Sequence, residues 1–565
     1  MKKITNILPI TLVFGASLAL SSCKNDGFLD RFPKSEFSEP TYFKTENDLK
    51  LYANTFYNNL PQVNDYRSDN NSDNMLPSTS EPLLAGTYAI PASGGGWDAG
   101  AWLNIRRCNY FLKRYENAQT NNQALYAAEV RFFRALFYWQ KVNSFGDVPL
   151  VLTDLDDTSA ELYGPRVNRN LVMDQVITDL EFAVQNLPNK GSEETGRLNK
   201  DNANALLSRI ALWEGTFRKY HNLGNGNPIL QKSLTASEAL INSGKYKLYT
   251  TGNPDKDYFN LFVQQDLKTN PETIMHWAYI IGTTTQNYTR QSGESNTGAT
   301  KDLADSYLFK DGKPIGLTSY TYDDSSPANE VKNRDPRYVQ TIATPGFVYS
   351  TNPVLTYGLP NIGTSQTSSG YWLIKGRSSD PTQMVANQSD VDAFIFRYAE
   401  ILLNFAEAKY ELGGTISQAD LDKSINLLRS RVGMPALSTA VQADPNAINY
   451  GYTVAPLLYE IRRERRVELM GEGFRFNDIK RWKAGKLVEG TKTVRGMKLN
   501  ANLRSQYSYD VSKIATDNNA LIIVNTNFTN GRQWNDKYYY LPLPLDQITL
   551  TQGKPGAYSQ NPGWQ

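Results

Sequence analysis

Side chains that carry nucleophilic or metal chemistry are scarce in this sequence. Its 565 residues include two histidines, His221 and His276, and two cysteines. A zinc site or a Ser-His-Asp or Cys-His arrangement needs imidazole or thiolate groups that such a chain scarcely provides. We therefore expect no catalytic residue, no metal site and no cofactor. A glycoside hydrolase stays open as an alternative, because its chemistry needs only two carboxylates and 57 Asp and Glu residues are present.

One of the two cysteines lies where a secreted lipoprotein is modified. Two lysines and an apolar run over 4–20 are typical of a secretory signal, too short to span a bilayer comfortably. The next residues, LSSC at 20–23, resemble the bacterial lipobox, in which the cysteine is acylated and becomes the first mature residue. We predict a signal peptide over 1–22 and a lipid anchor on Cys23; the alternative is a signal with an unmodified cysteine. Cys108 is then left without an intramolecular partner.

Composition and charge describe a water-soluble body behind this signal. Hydrophobic residues make up 40% of the chain, charged residues 21%, and the mean hydropathy is −0.50. The formal charge of +2 falls to about zero once the two lysines of the signal are removed. Such a balance creates no global field for nucleic acid or anionic lipid. We predict no nucleic-acid partner and a ligand that is neutral.

The most basic stretch is RRERR at 462–466, which is a candidate nucleic-acid patch. Glutamates interleave with it at helical offsets, and this places Glu460 near Arg463 and Arg465 near Glu468. The pattern indicates a structural ion-pair face.

Helical periodicity dominates two parts of the chain, about 41–227 and 391–484. Gly, Ser, Asn, Pro and Tyr dominate about 228–390, where the runs TIMHWAYII and GYWLIKG predict short strands, and 485–565 is irregular. We predict one mostly α domain over 23–565, in which helix pairs of the tetratricopeptide kind form a scaffold and the loop-rich lobe carries short β-strands.

Several motifs along the chain resemble one known family. They are the lipobox, FLDRFP, AAEVRFFRALFYWQKVNSFGDVPLV, FRYAEILLNFAEA, IRRERRVELMGEGFRFNDIKRW, YYYLPLP and a terminal QNPGW. In number and order they are similar to the SusD/RagB family of Bacteroidetes outer-membrane lipoproteins. The resemblance implies about four tetratricopeptide-like helix pairs beneath a loop-rich ligand lobe. It also implies a SusC-like TonB-dependent transporter as partner, and the residues KND at 24–26 resemble a partial tag for display on the extracellular side.

Candidate ligand-binding residues come from loops rich in aromatic and polar side chains. Trp97 follows three glycines, so we expect its ring on a flexible turn, where an indole can stack on a sugar face; the alternative is an indole packed against the helix that begins near Ala101. The resemblance implies sugar stacking at Trp97 and at Tyr288, in the polar loop GTTTQNYTRQSGESN. Asp73 and Asn74 in SDNNSDNM, with Tyr66, are candidates for binding sugar hydroxyls. Three further tryptophans are expected to be structural: Trp102, Trp277 and Trp372.

The function expected from this resemblance is capture of oligo- or polysaccharide at the cell surface and delivery to the transporter, with no enzymatic activity. A peptide-binding, RagB-like lipoprotein is the nearest alternative. A protein adaptor that grips its partner with the concave face of the helix pairs is a second one.

Overall fold

A computed structural model describes residues 42–61, 66–528 and 531–564. The predicted signal peptide and Cys23 lie outside these residues. The helices of the described part are α1 (Glu46–Asn54), α2 (Ala99–Leu112), α3 (Gln123–Phe145), α4 (Arg169–Asn186), α5 (Lys200–Tyr220), α6 (Asn227–Asn242), α7 (Asp257–Leu261), α8 (Tyr288–Gln291), α9 (Lys301–Ser306), α10 (Pro327–Glu330), α11 (Arg337–Thr341), α12 (Tyr398–Gly413), α13 (Gln418–Asp422), α14 (Ile425–Arg431), α15 (Pro456–Glu468), α16 (Arg475–Arg481), α17 (Ala501–Arg504) and α18 (Leu545–Thr551). None of them has the length and apolar character needed to cross a membrane.

The strands are short and form two-stranded antiparallel pairs. They are β1 (Met75–Pro77), β2 (Thr273–Trp277), β3 (Thr297–Ala299), β4 (Val348–Thr351), β5 (Val354–Thr356), β6 (Ala393–Arg397), β7 (Arg495–Lys498) and β8 (Leu521–Ile523). The pairs are β1 with β3, β2 with β6, β4 with β5, and β7 with β8. A mostly α fold with short strands in the loop-rich lobe is confirmed.

The long helices pack in sequence order into a scaffold. α2 packs on α3, α3 on α4, α4 on α5 and α5 on α6, and α6 then packs on α12, which packs on α15. The loop-rich lobe is therefore inserted between two neighbouring helices, α6 and α12. The largest hydrophobic core runs through this scaffold.

The predicted start of the lobe at 228 is wrong, because residues 227–242 form scaffold helix α6. Proline in the first turn of a helix loses no hydrogen bond, so Pro228 is compatible with this helix. Ile229, Leu230 and Leu234 are buried along one face of α6. A second difference concerns GYWLIKG, which forms no regular strand; its Leu373 makes one isolated bridge with Ile342.

The end of α3 is set by a glycine at a close contact. Gly146 caps the helix with φ 72°, and a Cβ there would lie 3.0 Å from the Tyr540 ring. A side chain at this position would meet both backbone strain and a clash. The helix therefore ends at Gly146, where the chain's C-terminal segment packs against α3.

The arginine-rich helix α15 is structural, as predicted, but it is buried rather than a solvated face. All five residues of 462–466 are at most 7% exposed. Arg463 pairs with Glu460 at 3.1 Å, as the spacing predicts. The second predicted pair is wrong: Arg465 pairs with Asp478 at 2.9 Å, and Glu468 receives arginines from other elements.

Candidate functional site

The structure buries two of the predicted ligand-binding aromatics in the core of the lobe. Tyr66 is 2% exposed and Tyr288 is 6% exposed, and their ring centroids lie 6.2 Å apart. The Tyr288 hydroxyl donates to the Val391 carbonyl oxygen at 2.9 Å. The expectation that Tyr288 is a loop-borne ring open to ligand is wrong, because Tyr288 begins α8 and packs inward against Tyr66.

Asp73 and Asn74 are also buried and are bound to arginines. Arg475 donates to both carboxylate oxygens of Asp73, Nε and Nη2 each at 2.7 Å. Arg466 Nε donates to the Asn74 side-chain oxygen at 2.7 Å. Burial alone would raise the pKa of Asp73, but Arg466 and Arg475 outweigh it and lower that pKa to about 2. The prediction that Asp73 and Asn74 are exposed groups that bind sugar hydroxyls is wrong, because their polar atoms take part in a buried ion-pair network.

Trp97 lies in a well-defined turn instead of a flexible one. Gly94, Gly95 and Gly96 all have positive φ, and the Trp97 N–H donates to the Gly94 carbonyl oxygen at 2.9 Å. The Lys141 ammonium donates to the Gly96 carbonyl oxygen at 2.5 Å. The indole is 3% exposed and packs edge-on against three other rings: Trp102, Phe145 and Tyr558. The expectation of an exposed Trp97 ring is therefore wrong, and Tyr288 does not lie beside it, since the two rings belong to separate cores.

Trp97 nevertheless lines a cleft with a volume of about 710 Å³. Three segments form this Trp97 cleft: 97–109 with the first half of α2, the connection 149–162 after α3, and 547–558 with the end of α18. Its size falls in the range of small-molecule sites, about 300–1,000 Å³. Apolar side chains dominate its walls.

Hydrogen bonds from the scaffold fix these three segments. The Asn109 side-chain amide of α2 donates to the Val151 carbonyl oxygen at 2.8 Å, and the Tyr138 hydroxyl of α3 accepts from the Val151 N–H at 2.8 Å. At the start of α18, the Leu545 N–H donates to the Pro91 carbonyl oxygen at 3.0 Å. The cleft is consequently built on helices, with its loops fixed to them.

Polar groups without protein partners line these apolar walls. The indole N–H groups of Trp97 and Trp102 and the Tyr558 hydroxyl make no hydrogen bond within the described residues. The same is true of the side chains of Arg106 and Gln547. Flat rings combined with free donors suit a ligand that has apolar C–H faces and many hydroxyl oxygens.

The residues that sequence reasoning missed are Trp102, Arg106, Gln547 and Tyr558. Trp102 was expected in the core, but it is half-buried in the cleft wall. The helical spacing of Trp102, Arg106 and Asn109 on the element after Trp97 is a signal that would have grouped them. The other two tryptophans are structural: Trp277 donates to the Pro61 carbonyl oxygen at 3.0 Å and Trp372 to the Ser292 carbonyl oxygen at 2.8 Å.

Neither histidine lines the Trp97 cleft. His276 Nε2 lies 3.7 Å from Asp392 Oδ2, and the His221 ring stacks on Phe217 with 3.8 Å between centroids. Burial lowers the pKa of His221 to about 4. No cluster of three or more His, Cys, Asp or Glu side chains is placed to hold a metal ion among the described residues.

Comparison with known proteins gives the family. A model described as "SusD family" matches residues 258–564, more than half of the chain. The chain belongs to the SusD/RagB family. A second model, described as "Starch-binding associating with outer membrane", matches residues 28–212 and ties this SusD-family protein to the outer membrane.

Curated relatives and solved structures agree with that assignment. The SusD-like protein P38 of Formosa agariphila is 24% identical over 532 residues, which cover 88% of this chain and 95% of the relative. A SusD-like protein from Bacteroides fragilis has TM-score 0.70 at 23% identity, covering 94% of this chain and 100% of that one. A SusD-like carbohydrate binding protein from the same species has TM-score 0.70 at 22% identity, covering 90% and 98%. The tetratricopeptide-type fold is thus shared along nearly the whole SusD-family chain.

Proposed function

We propose that this protein is a cell-surface lipoprotein that binds oligo- or polysaccharide and delivers it to a SusC-like TonB-dependent transporter. Its role is capture rather than catalysis. The observation that carries the proposal is the Trp97 cleft, in which apolar and aromatic walls present free N–H and O–H donors. Sugars match this chemistry because each ring has an apolar face and a rim of hydroxyls.

Family members support the choice of ligand class. Solved structures that share this fold include one described as a SusD-like carbohydrate binding protein and one described as a laminarin-binding SusD-like protein, the latter with TM-score 0.51 at 19% identity. The LSSC sequence at 20–23 supports a lipid anchor on Cys23, and outer-membrane association of the family supports its place beside a transporter. A protein that delivers its ligand to a transporter must also release it, so we expect micromolar or weaker affinity.

The test is affinity electrophoresis against a panel of neutral polysaccharides, followed by isothermal titration with oligosaccharides of whichever polysaccharide retards the protein. Trp102→Ala and Tyr558→Ala remove the two half-buried rings of the cleft. Losing roughly 60 Å² of sugar contact at about 25 cal/mol per Å² costs about 1.5 kcal/mol, so affinity should fall about tenfold in each variant.

A matched control is Tyr320→Ala, since Tyr320 is an aromatic residue that is 38% exposed and does not line the cleft. Its glycan affinity should equal that of the native protein. Unchanged affinity in both cleft variants would place glycan binding elsewhere on the molecule. Binding to peptides but to no glycan would overturn the ligand class and favour a RagB-like peptide importer.

A further inference from the structure

Charge is unevenly distributed at the mouth of the Trp97 cleft. Its charged lining residues are three carboxylates, Asp156, Asp157 and Glu161, and one guanidinium, Arg106. All four are exposed. The Asp156 carboxylate accepts hydrogen bonds from the Thr158 N–H and hydroxyl at 2.9 and 2.6 Å, so it also holds its own turn. Asp157, Glu161 and Arg106 make no ion pair or hydrogen bond through their side chains within the described residues.

Two further cations lie behind the aromatic wall instead of lining the cleft. The Lys141 ammonium is 4.8 Å from the Trp102 ring and donates to the Gly96 carbonyl oxygen. The Arg166 guanidinium is 6.0 Å from the Trp97 ring and donates to the Asp147 and Phe145 carbonyl oxygens. Neither cation lines the cleft, so among its lining residues the carboxylates outnumber the cations three to one.

An independent observation indicates that the cleft takes a ligand. The Trp97 side chain lines the cleft and is 3% exposed, yet its indole N–H has no acceptor among the described residues. Donors that are this nearly buried are almost always bonded, to protein, water or ligand. A sugar hydroxyl or ring oxygen is an acceptor of the right size and polarity.

We propose that the Trp97 cleft selects saccharides by charge: it binds neutral and amino-bearing sugars more tightly than sugars that carry carboxylate or sulfate groups. This inference rests on the proposed glycan binding. A hydroxyl accepts from the Trp97 N–H and can donate to Asp157 or Glu161, and an ammonium group gains further attraction from them. An anionic sugar finds one partner, Arg106, and meets repulsion from the carboxylates. These charges face solvent, where the Debye length is about 10 Å at 0.1 M salt. Added salt should therefore reduce the difference in affinity between neutral and anionic sugars.

The experiment holds the glycan backbone constant and changes only its charge. A neutral polysaccharide that binds the native protein is first identified among starch, laminarin, xylan and cellulose derivatives. The same backbone is then prepared in carboxymethyl and aminoethyl forms of equal substitution. Affinity of each form is measured by isothermal titration at 20 mM and 300 mM NaCl.

Three proteins are compared: native, Asp157→Asn/Glu161→Gln, and the control Asp255→Asn/Glu238→Gln, which removes equal charge outside the cleft lining. Native protein should bind the carboxymethyl form about three- to tenfold more weakly than the neutral form at 20 mM NaCl, as expected for two solvent-screened charges. The aminoethyl form should bind at least as tightly as the neutral form. The difference in affinity between the neutral and carboxymethyl forms should be smaller at 300 mM NaCl and smaller in Asp157→Asn/Glu161→Gln. The control variant should show the same difference as native protein.

Equal binding of carboxymethyl and neutral forms by the native protein would overturn the charge selection while leaving glycan capture intact. A difference that survives in the cleft variant, or that narrows equally in the control, would also overturn it. Binding of anionic glycans alone would overturn the charge selection and leave glycan capture standing, whereas binding of no glycan at all would refute the proposed function and this inference with it.

Discussion

Lys480 in α16 is a buried cation without a carboxylate partner among the described residues, which makes the pH dependence of stability measurable at one side chain. The residue is 5% exposed, and its ammonium donates to the Asn143 carbonyl oxygen. Burial, with a contribution from the Arg169 charge, lowers the pKa of Lys480 to about 7. In the unfolded chain a lysine titrates near 10.4.

The direction of the pH dependence follows from the number of protons that the folded and unfolded states bind. Between about pH 7 and pH 10.4 the unfolded chain holds the Lys480 proton more often than the folded protein, so the free energy of unfolding rises with pH in this window. Below about pH 7 both states are protonated, and the penalty of burying the charge is fully present and constant. For these two pKa values the gain from pH 7 to pH 9 is about 2 kcal/mol.

The assay is urea unfolding of native protein and Lys480→Met at pH 7, 8 and 9. The stability of native protein relative to the variant should rise by about 2 kcal/mol across this range. Lys141 and Lys375, whose pKa values burial lowers to about 8, titrate in both proteins and cancel. Lys486→Met is the control, because that side chain is 54% exposed and pairs with Glu489 at 2.9 Å. Parallel pH profiles for native protein and Lys480→Met would refute the reasoning.

Three further predictions concern buried polar groups. Asp73→Asn leaves Arg466 and Arg475 without their shared carboxylate and should cost about 3–5 kcal/mol in urea unfolding, with glycan affinity of the folded protein unchanged by titration; lost affinity at native stability would restore Asp73 as a ligand contact. Tyr66→Phe removes a buried hydroxyl that has no hydrogen-bond partner in the described part of the chain, so stability should stay equal or rise by about 1 kcal/mol, and a thermal shift downward would contradict this. Cys108 is fully buried and burial raises its pKa, so its thiol should react with a disulfide reagent only after unfolding; mass spectrometry of the Cys108 peptide from native protein checks this.

Local spacing predicted the helices well, because the apolar residues of an amphipathic helix recur in the sequence with the period of the helix. The same spacing predicted the pair Glu460–Arg463 within α15. It missed the partners of Glu468, which are Arg431 of α14 at 2.7 Å, Arg397 at the end of β6 at 2.8 Å and Arg337 of α11 at 3.1 Å. A pattern within one helix carries no information about charges that other elements bring to it.

The prediction of exposed ligand-binding residues was wrong for a related physical reason. Polar loops such as SDNNSDNM are usually solvated, so Asp73 and Asn74 were expected at the surface. Here Arg475 and Arg466 reach them from the opposite end of the chain and make their burial favourable. Glycines before Trp97 indicated flexibility, but Gly95 lies against other chain segments, where an added Cβ would be 3.0 Å from Pro91 and 3.3 Å from Pro544.

The motifs that carry the family resemblance hold the fold together and contribute little to the cleft. In FRFNDIKRW, the Arg481 guanidinium and the Trp482 indole N–H both donate to Glu407 at 2.6 Å. In the terminal QNPGW, the Asn561 side-chain amide donates to the Phe145 carbonyl oxygen at 3.0 Å and so fixes the C-terminal segment to the end of α3.

Five residues carry cleft groups that remain free for a ligand, and all five lie outside those motifs: Trp97, Arg106, Asp157, Glu161 and Gln547. A sequence can therefore match the family through its buried hydrogen bonds and ion pairs while its ligand chemistry is set by residues that the match does not involve. This is why the scaffold was predictable from the resemblance and the cleft required the assembled structure. Arg106, Asp157 and Glu161 are exposed, so substitutions there should change ligand choice with little effect on folding.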